Sequence, residues 1–133
     1  MDFTLIEESF VANATREEWI FDPDVVQATQ NYVRQLINLK NPYSEICYKD
    51  DATIAVWGLI NEPEYPTYRQ TMADDKQKAT FGAWLEANDY PWNDVYYGKY
   101  REAVVRAYIN NLHDILREAG AEQPVVWNCS GRA

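Results

Sequence analysis

A carboxylate follows directly on the most apolar run of the chain. Residues 53–60 read TIAVWGLI, and Asn61, Glu62 and Pro63 come next. A glutamate in such a place can act as a general acid or base, and a side-chain amide beside it can donate to a hydroxyl group. Pro63 has no N–H to donate, so it ends strand pairing just beyond Glu62. The tripeptide alone favours a polar residue that simply ends a strand. Its position, after a buried strand and before an aromatic-rich loop, makes a catalytic glutamate an equal interpretation.

The sequence predicts three helices around this triplet. The first lies within residues 21–40, because Asp-Pro-Asp at its start supplies a cap, a proline suited to the first turn and a charge that complements the helix dipole. A short helix is expected near residues 76–87. The third runs from about Asp94 or Tyr97 to Ala119, and the glycine that follows it suits the end of a helix.

Two short strands are predicted, over residues 53–60 and 124–131. A continuous apolar run of this length is typical of a strand buried on both faces. Each strand is preceded by a helix, and this alternation indicates a parallel α/β sheet. Residues 1–21 are expected to be an irregular lead-in anchored by Trp19, Ile20 and Phe21. Because two parallel strands do not close a sheet, we expect a section of a larger α/β fold.

Composition and charge exclude several classes of function. The net charge of −9 disfavours nucleic acid and anionic membranes as partners, since phosphate binding needs clustered Lys and Arg. No apolar run approaches the roughly 20 residues that span a bilayer. Cys47, Cys129 and the single His113 have no metal-site spacing, so neither a metal nor a cofactor is predicted. The acidic start has no signal-peptide pattern, which leaves localisation open.

The segment YKDDATIAVWGLINEPEYPTY, residues 48–68, resembles the fourth-strand segment of retaining glycoside hydrolases with a (β/α)₈ barrel. It is closest to glycoside hydrolase family 5, in the cellulase and endo-β-mannanase style, whose pattern is NPYTGxxYKDDPTIxxWELxNEP. The chain departs from that pattern at Ala52, where proline is usual, and at Gly58, where mannanase-like members have glutamate. The matching residues are Asn41, Pro42, Tyr43, Tyr48, Lys49, Asp50, Asp51, Thr53, Ile54, Trp57, Asn61, Glu62 and Pro63.

The resemblance implies part of a TIM barrel, from after strand 3 through strand 5, with residues 1–133 as a single incomplete catalytic-domain segment. It implies a retaining, endo-acting hydrolase of a β-1,4-linked polysaccharide such as mannan or β-glucan. Glu62 would be the general acid/base, and Asn61 would bind the sugar 2-hydroxyl. The nucleophile of the family is a glutamate after strand 7, which this chain would lack. The isolated chain is therefore expected to be inactive. The resemblance is compatible with an extracellular full-length protein, and the sequence leaves localisation open.

Three tryptophans are candidates for sugar-stacking residues, because apolar sugar faces pack on aromatic rings. Trp84 and Trp92 lie in the aromatic-rich stretch after Glu62, and Trp127 lies near the end of the second predicted strand. The alternative is that the first two anchor a long loop and that Trp127 fills the barrel interior. Both interpretations fit the sequence.

Two other functions remain open. The chain could be a non-catalytic carbohydrate-binding or scaffold protein that kept a barrel segment, in which case sugar binding would not depend on Glu62. Alternatively, it could belong to another member of the same clan, such as a β-galactosidase-like enzyme, which shares Asn-Glu at the same place.

Overall fold

The computed structural model describes residues 13–128 of the chain. The predictions for residues 1–12 and 129–131 lie outside this part. The described elements, in chain order, are α1 (Glu18–Phe21), α2 (Pro23–Ile37), β1 (Trp57–Asn61), α3 (Tyr68–Ala73), α4 (Asp75–Ala87), α5 (Tyr97–Glu118) and β2 (Val125–Asn128), with 3₁₀ turns at Tyr48–Asp50 and Asp94–Tyr96.

The helix ends agree with the sequence signals. One carboxylate oxygen of Asp22 accepts from the backbone N–H groups of Asp24 at 2.9 Å and Val25 at 3.4 Å, and Pro23 takes the first helical position of α2. These bonds satisfy donors that the first turn of a helix leaves unpaired. After α5, Gly120 adopts a φ of +95°, a conformation that glycine reaches without strain.

The long connection after β1 contains one helix more than was predicted. Thr67 and Gln70 form a capping box at the start of α3: the Thr67 N–H donates to Gln70 Oε1 at 2.8 Å, and the Gln70 N–H donates to Thr67 Oγ1 at 3.3 Å. The T-x-x-Q pattern is readable from sequence. Asp74 lies between α3 and α4, as the last cap of one and the first cap of the other. The bounds of α4 confirm the short helix expected near residues 76–87.

The two strands are parallel, and they confirm the predicted direction. Trp57 pairs with Val125, and Asn61 pairs with Asn128. The register shifts between Gly58 and Asn61. The described residues therefore form a mixed structure of helices and a small parallel sheet, compatible with the α/β class.

The first strand is shorter and more exposed than predicted. Asp51 Oδ1 accepts from the backbone N–H of Thr53 at 2.9 Å and from its hydroxyl at 2.7 Å. Such a local turn uses the N–H that a strand would need for pairing, so β1 begins only at Trp57. The prediction of burial on both faces was wrong, because the strand has one neighbour here. Gly58 and its partner Val126, which is 48% exposed, form an open face of the sheet.

The core lies on the other side of the sheet, among the helices. Ile20 and Phe21 are buried there and Trp19 is partly buried, which confirms the predicted apolar anchor. The irregular lead-in predicted up to residue 21 was wrong at its end, because Glu18–Phe21 form α1. Phe81 of α4 is fully buried and contacts the rings of five aromatic residues: Tyr68, Trp84, Trp92, Tyr97 and Tyr100. This cluster joins α3, α4 and α5 to the rest of the hydrophobic core.

Candidate functional site

Asn61 and Glu62 lie together at the C-terminal end of β1. Asn61 is the last strand residue and Glu62 follows it, and both side chains are exposed. Glu62 has a φ of +47°, in the left-handed region that costs an L-residue roughly 1–2 kcal/mol. Such backbone conformations persist only where the surroundings hold them, and they cluster at functional sites.

The end of β2 holds both residues. The Glu62 N–H donates to the carbonyl oxygen of Asn128 at 2.8 Å. The side-chain amide of Asn128 donates to Asn61 Oδ1 at 3.1 Å. The C-terminal ends of the two parallel strands are therefore linked through one residue of β2.

The segment after Glu62 is also fixed. Pro63 and Pro66 are buried, and the hydroxyl of Tyr97 donates to the Pro66 carbonyl oxygen at 2.9 Å. The ring of Tyr65 lies 6.3 Å from that of Phe21 in an edge-on contact. Glu62 thus lies between the paired end of β1 and a buried turn. Both restrict the backbone from which its carboxylate projects.

Other carboxylates near Glu62 in the sequence have different partners. Glu64 lies 3.9 Å from Arg16. Asp74 caps α4, where its side chain accepts from the Gln77 N–H at 2.9 Å. These contacts leave Glu62 as the carboxylate that the strand end presents to solvent.

An ion-pair cluster fixes α4 to the start of α2. Lys76 Nζ lies 2.8 Å from Asp22 Oδ2 and 2.6 Å from Asp24 Oδ2. The hydrogen bonds that Lys76 donates to Asp22 and Asp24 raise the pKa of Lys76 above its ordinary value. The Asp22 side chain is only 10% exposed, so Lys76 also supplies the counter-charge that a buried carboxylate needs.

The two loop tryptophans predicted to bind sugar differ in how far their rings are exposed. Trp84 is half-buried, and it lies 5.6 Å from the Tyr100 ring inside the aromatic cluster. Trp92 is 51% exposed, and one edge of its indole covers Gly82. Trp92 therefore offers free ring surface, whereas Trp84 belongs largely to the core.

Trp127 lies on the α5 side of β2. It lines a cavity of about 320 Å³ with residues of α5, among them Val105, Arg106 and Ile109. Alternation along a strand puts Trp127 on the same face as Val125, which packs against the core. The structure thus brings Asn61 and Glu62 together and places Trp127 beside the helix; a role of Trp127 in sugar binding stays a prediction.

Within residues 13–128, no three or more His, Cys, Asp or Glu side chains gather as they would around a metal ion. Over the same residues, no helix combines the length and the apolar character that a membrane span requires.

Two residues of the site were missed by sequence reasoning. Asn128 was read only as part of a short strand, and Tyr97 only as the start of a helix. Asn128 acquires its contacts through the parallel register, and Tyr97 acquires its contact through the packing of α5 on the turn after Glu62. Neither relationship has a local sequence signal.

Comparison with known proteins found relatives of one kind. The chain is 34% identical over 61 residues to mannan endo-1,4-beta-mannosidase 5 of Arabidopsis thaliana, which is 46% of this chain and 14% of that protein. It is 30% identical over 80 residues to mannan endo-1,4-beta-mannosidase 2 of Oryza sativa subsp. japonica, or 60% of this chain and 16% of the relative. With mannan endo-1,4-beta-mannosidase 3 of Arabidopsis thaliana it shares 35% identity over 69 residues, 52% of this chain and 15% of the relative.

These matches cover less than a fifth of the length of each of the three relatives. No protein-family model matches the chain, and no solved structure matches it. The relatives confirm the resemblance that the residues around Glu62 carry: over this stretch the chain is similar to the endo-β-mannanases of glycoside hydrolase family 5.

Proposed function

We propose that this chain carries the acid/base half of a retaining β-mannan hydrolase, with Glu62 as the general acid/base. The observation that supports this most directly is the pair Asn61–Glu62 at the C-terminal end of a parallel strand, joined to the end of the neighbouring strand by Asn128. In (β/α)₈ barrels, catalytic groups come from the C-terminal ends of strands. The relatives are mannan endo-1,4-beta-mannosidases, which favours mannan over β-glucan as the substrate.

In the proposed reaction, Glu62 gives its proton to the glycosidic oxygen as the bond to the anomeric carbon breaks. A second carboxylate, about 5–5.5 Å away, bonds to that carbon and forms the glycosyl-enzyme. The ionised Glu62 then takes a proton from the water that releases the sugar. Asn61 donates from its amide to the sugar 2-hydroxyl and so positions the ring.

We assign the nucleophile to a strand outside residues 13–128. The next two carboxylates after Glu62 are engaged elsewhere, Glu64 with Arg16 and Asp74 with the first turn of α4. On this proposal, residues 1–133 correspond to the section of a (β/α)₈ barrel from after strand 3 through strand 5. The order helix, strand, helices, strand supports that assignment, as does the small share of each relative that the chain matches. The partner is a β-linked polysaccharide.

A graft tests the catalytic assignment. Residues 48–64 replace the fourth-strand segment of the Arabidopsis thaliana mannan endo-1,4-beta-mannosidase 5, and mannan hydrolysis is measured by the release of reducing ends. We expect the graft to hydrolyse mannan. Glu62→Gln in the grafted segment should lower kcat/KM by about 10²–10⁴-fold, the usual contribution of a positioned acid or base.

Glu64→Gln in the same graft is the matched control, because it removes an exposed carboxylate two residues from Glu62 and outside the Asn61–Glu62 pair. It should leave hydrolysis close to that of the unaltered graft. A folded graft without activity, or a Glu62→Gln graft with near-parental activity, contradicts the assignment. Oligosaccharide binding by the 133-residue chain that persists in Glu62→Gln and in Asn61→Ala would favour the binding-protein alternative.

A further inference from the structure

Asn128 makes two different contacts with the pair at the end of β1. Its backbone carbonyl accepts from the Glu62 N–H at 2.8 Å, and its side-chain amide donates to Asn61 Oδ1 at 3.1 Å. Asn61 and Asn128 are partners in the parallel register, so the two side chains leave the sheet beside each other. No assignment of Asn128 follows from the resemblance to family 5, whose pattern ends at Pro63.

The side-chain contact fixes which end of the Asn61 amide faces outward. An asparagine side chain has an acceptor oxygen and a donor nitrogen, and rotation about its terminal torsion exchanges the two at little cost. In the structure the Asn128 amide presents its NH₂ group to Asn61, so the Asn61 oxygen faces β2. The Asn61 NH₂ group, which has no acceptor among residues 13–128, then faces away from β2 as a donor.

The backbone contact fixes the residue that follows. Glu62 has a φ of +47°, a conformation that needs support from its surroundings. The Asn128 carbonyl supplies that support on one side, and buried Pro63 supplies it on the other. One residue of β2 therefore sets both the hydrogen-bonding polarity of Asn61 and the backbone direction at Glu62.

We propose that Asn128 is a positioning residue that orients the Asn61 amide as a donor toward a sugar hydroxyl. The use of that donor by a sugar rests on the proposed function above, whereas the orientation itself is a property of the ligand-free chain. Asn128 acts through Asn61 and Glu62 and touches no reacting atom.

Asn128→Asp separates positioning from a merely structural role. The two side chains have the same shape, and the substitution keeps the backbone carbonyl that pairs with Glu62. A carboxylate has only acceptors, so Asn61 should turn its NH₂ group toward β2 and present its oxygen outward. Asn111→Asp is the matched control, because Asn111 is exposed on α5 and the change in charge is identical.

The experiment uses NMR of the ¹⁵N-labelled 133-residue chain without ligand. In the parent, nuclear Overhauser contacts should place the Asn61 NH₂ protons away from Asn128. In Asn128→Asp they should move next to residue 128, while the Glu62 amide keeps its slow hydrogen exchange. Asn128→Ala, which adds no charge, should leave the Asn61 amide in two orientations. An Asn61 amide with the same orientation in all three chains overturns the proposal.

Titration with mannotetraose then tests the use of the donor. Asn128→Asp should weaken binding by about threefold to tenfold, the range expected for one lost hydrogen bond, and Asn111→Asp should not change it. Equal affinity of the parent and Asn128→Asp overturns the claim that a sugar uses the oriented amide. If the unaltered chain binds no mannotetraose while the amide reverses as expected, the positioning role of Asn128 is supported and the use of the oriented amide by a sugar is contradicted.

Discussion

The hydroxyl of Tyr97 donates to the carbonyl oxygen of Pro66 at 2.9 Å, four residues after Glu62. Since that hydroxyl has one proton, its second hydrogen bond, with Thr71 Oγ1, has Thr71 as the donor. Tyr97 is buried, and burial raises its pKa. The first residue of α5 thus holds the turn that follows the candidate acid/base.

Tyr97→Phe should destabilise the fold, because it leaves the buried Pro66 carbonyl and the buried Thr71 hydroxyl without their partner. The expected loss in the free energy of unfolding is about 1–3 kcal/mol, measured by urea denaturation. The substitution removes no packing volume other than the hydroxyl. A loss well below this range would show that the turn finds another partner.

Tyr100→Phe is the matched control for that substitution. Tyr100 lies one turn further along α5, it is 1% exposed, and its hydroxyl has no hydrogen-bond partner among the described residues. Removing an unpaired buried hydroxyl should be neutral or stabilising by up to about 1 kcal/mol. If both substitutions cost the same, the hydrogen bond of Tyr97 is not what stabilises the turn.

Buried tyrosines should make the fold sensitive to alkaline pH. Burial raises the pKa of Tyr100 and of Tyr108 to about 12. Between roughly pH 10 and pH 12 the unfolded chain has released these protons and the folded chain has kept them, so stability is lost as the pH rises through this window. The loss should be of order 1 kcal/mol per pH unit for each tyrosine.

Urea denaturation at several pH values from 8 to about 12 measures that loss. Tyr100→Phe and Tyr108→Phe should each make the decline shallower. The raised pKa of Lys76, which is paired with Asp22, acts in the same direction, because the stability that it gives is complete below pH 10.5 and is lost as the pH rises above that value. A free energy of unfolding that stays constant over this pH range would contradict the prediction.

Local signals predicted the helices well, because the groups that start and end a helix are close in sequence. Asp22 caps α2 through residues two and three positions on, and Gly120 ends the turn after α5 with its own backbone. The capping box of Thr67 and Gln70 was equally local and was overlooked. Boundaries of this kind can be read from a short window of sequence.

The start of β1 and the supports of the candidate site depend on contacts between residues that are far apart in the sequence. The apolar run from Thr53 indicated a strand, yet Asp51 draws the first of these residues into a turn, and pairing begins only where the Trp57 N–H reaches the carbonyl oxygen of Pro124 at 2.9 Å. The contact of Asn128 with Asn61 spans 67 residues. Sequence therefore identified the two reactive side chains and left their supports to be found in the structure.

The left-handed backbone at Glu62 should come at a cost in stability. Glu62→Gly should raise the free energy of unfolding by about 0.5–1 kcal/mol, because glycine adopts positive φ without the Cβ clash. The control is Glu45→Gly, since Glu45 is exposed and has a similar φ of +58° in a turn outside the site. Both variants should gain stability in urea denaturation of the 133-residue chain. Glu62→Gly should also abolish hydrolysis in the graft, which does not include residue 45. A loss of stability confined to Glu62→Gly would mean that its carboxylate stabilises the fold.

Substitutions of the two loop tryptophans should have different effects, with Trp84→Ala acting mainly on stability and Trp92→Ala mainly on sugar binding. Trp84 packs in the aromatic cluster, so Trp84→Ala should lower the free energy of unfolding by about 3–5 kcal/mol. Trp92 is 51% exposed, so Trp92→Ala should cost less stability and should weaken mannotetraose binding in the same NMR titration.

Gly82→Ala provides an independent test, because its Cβ would lie 2.8 Å from Trp92 Cζ3 and must displace the indole. The Trp92 indole N–H resonance should shift in that variant, and binding should fall with it. Undiminished binding in both Trp92→Ala and Gly82→Ala would assign Trp92 to loop packing alone.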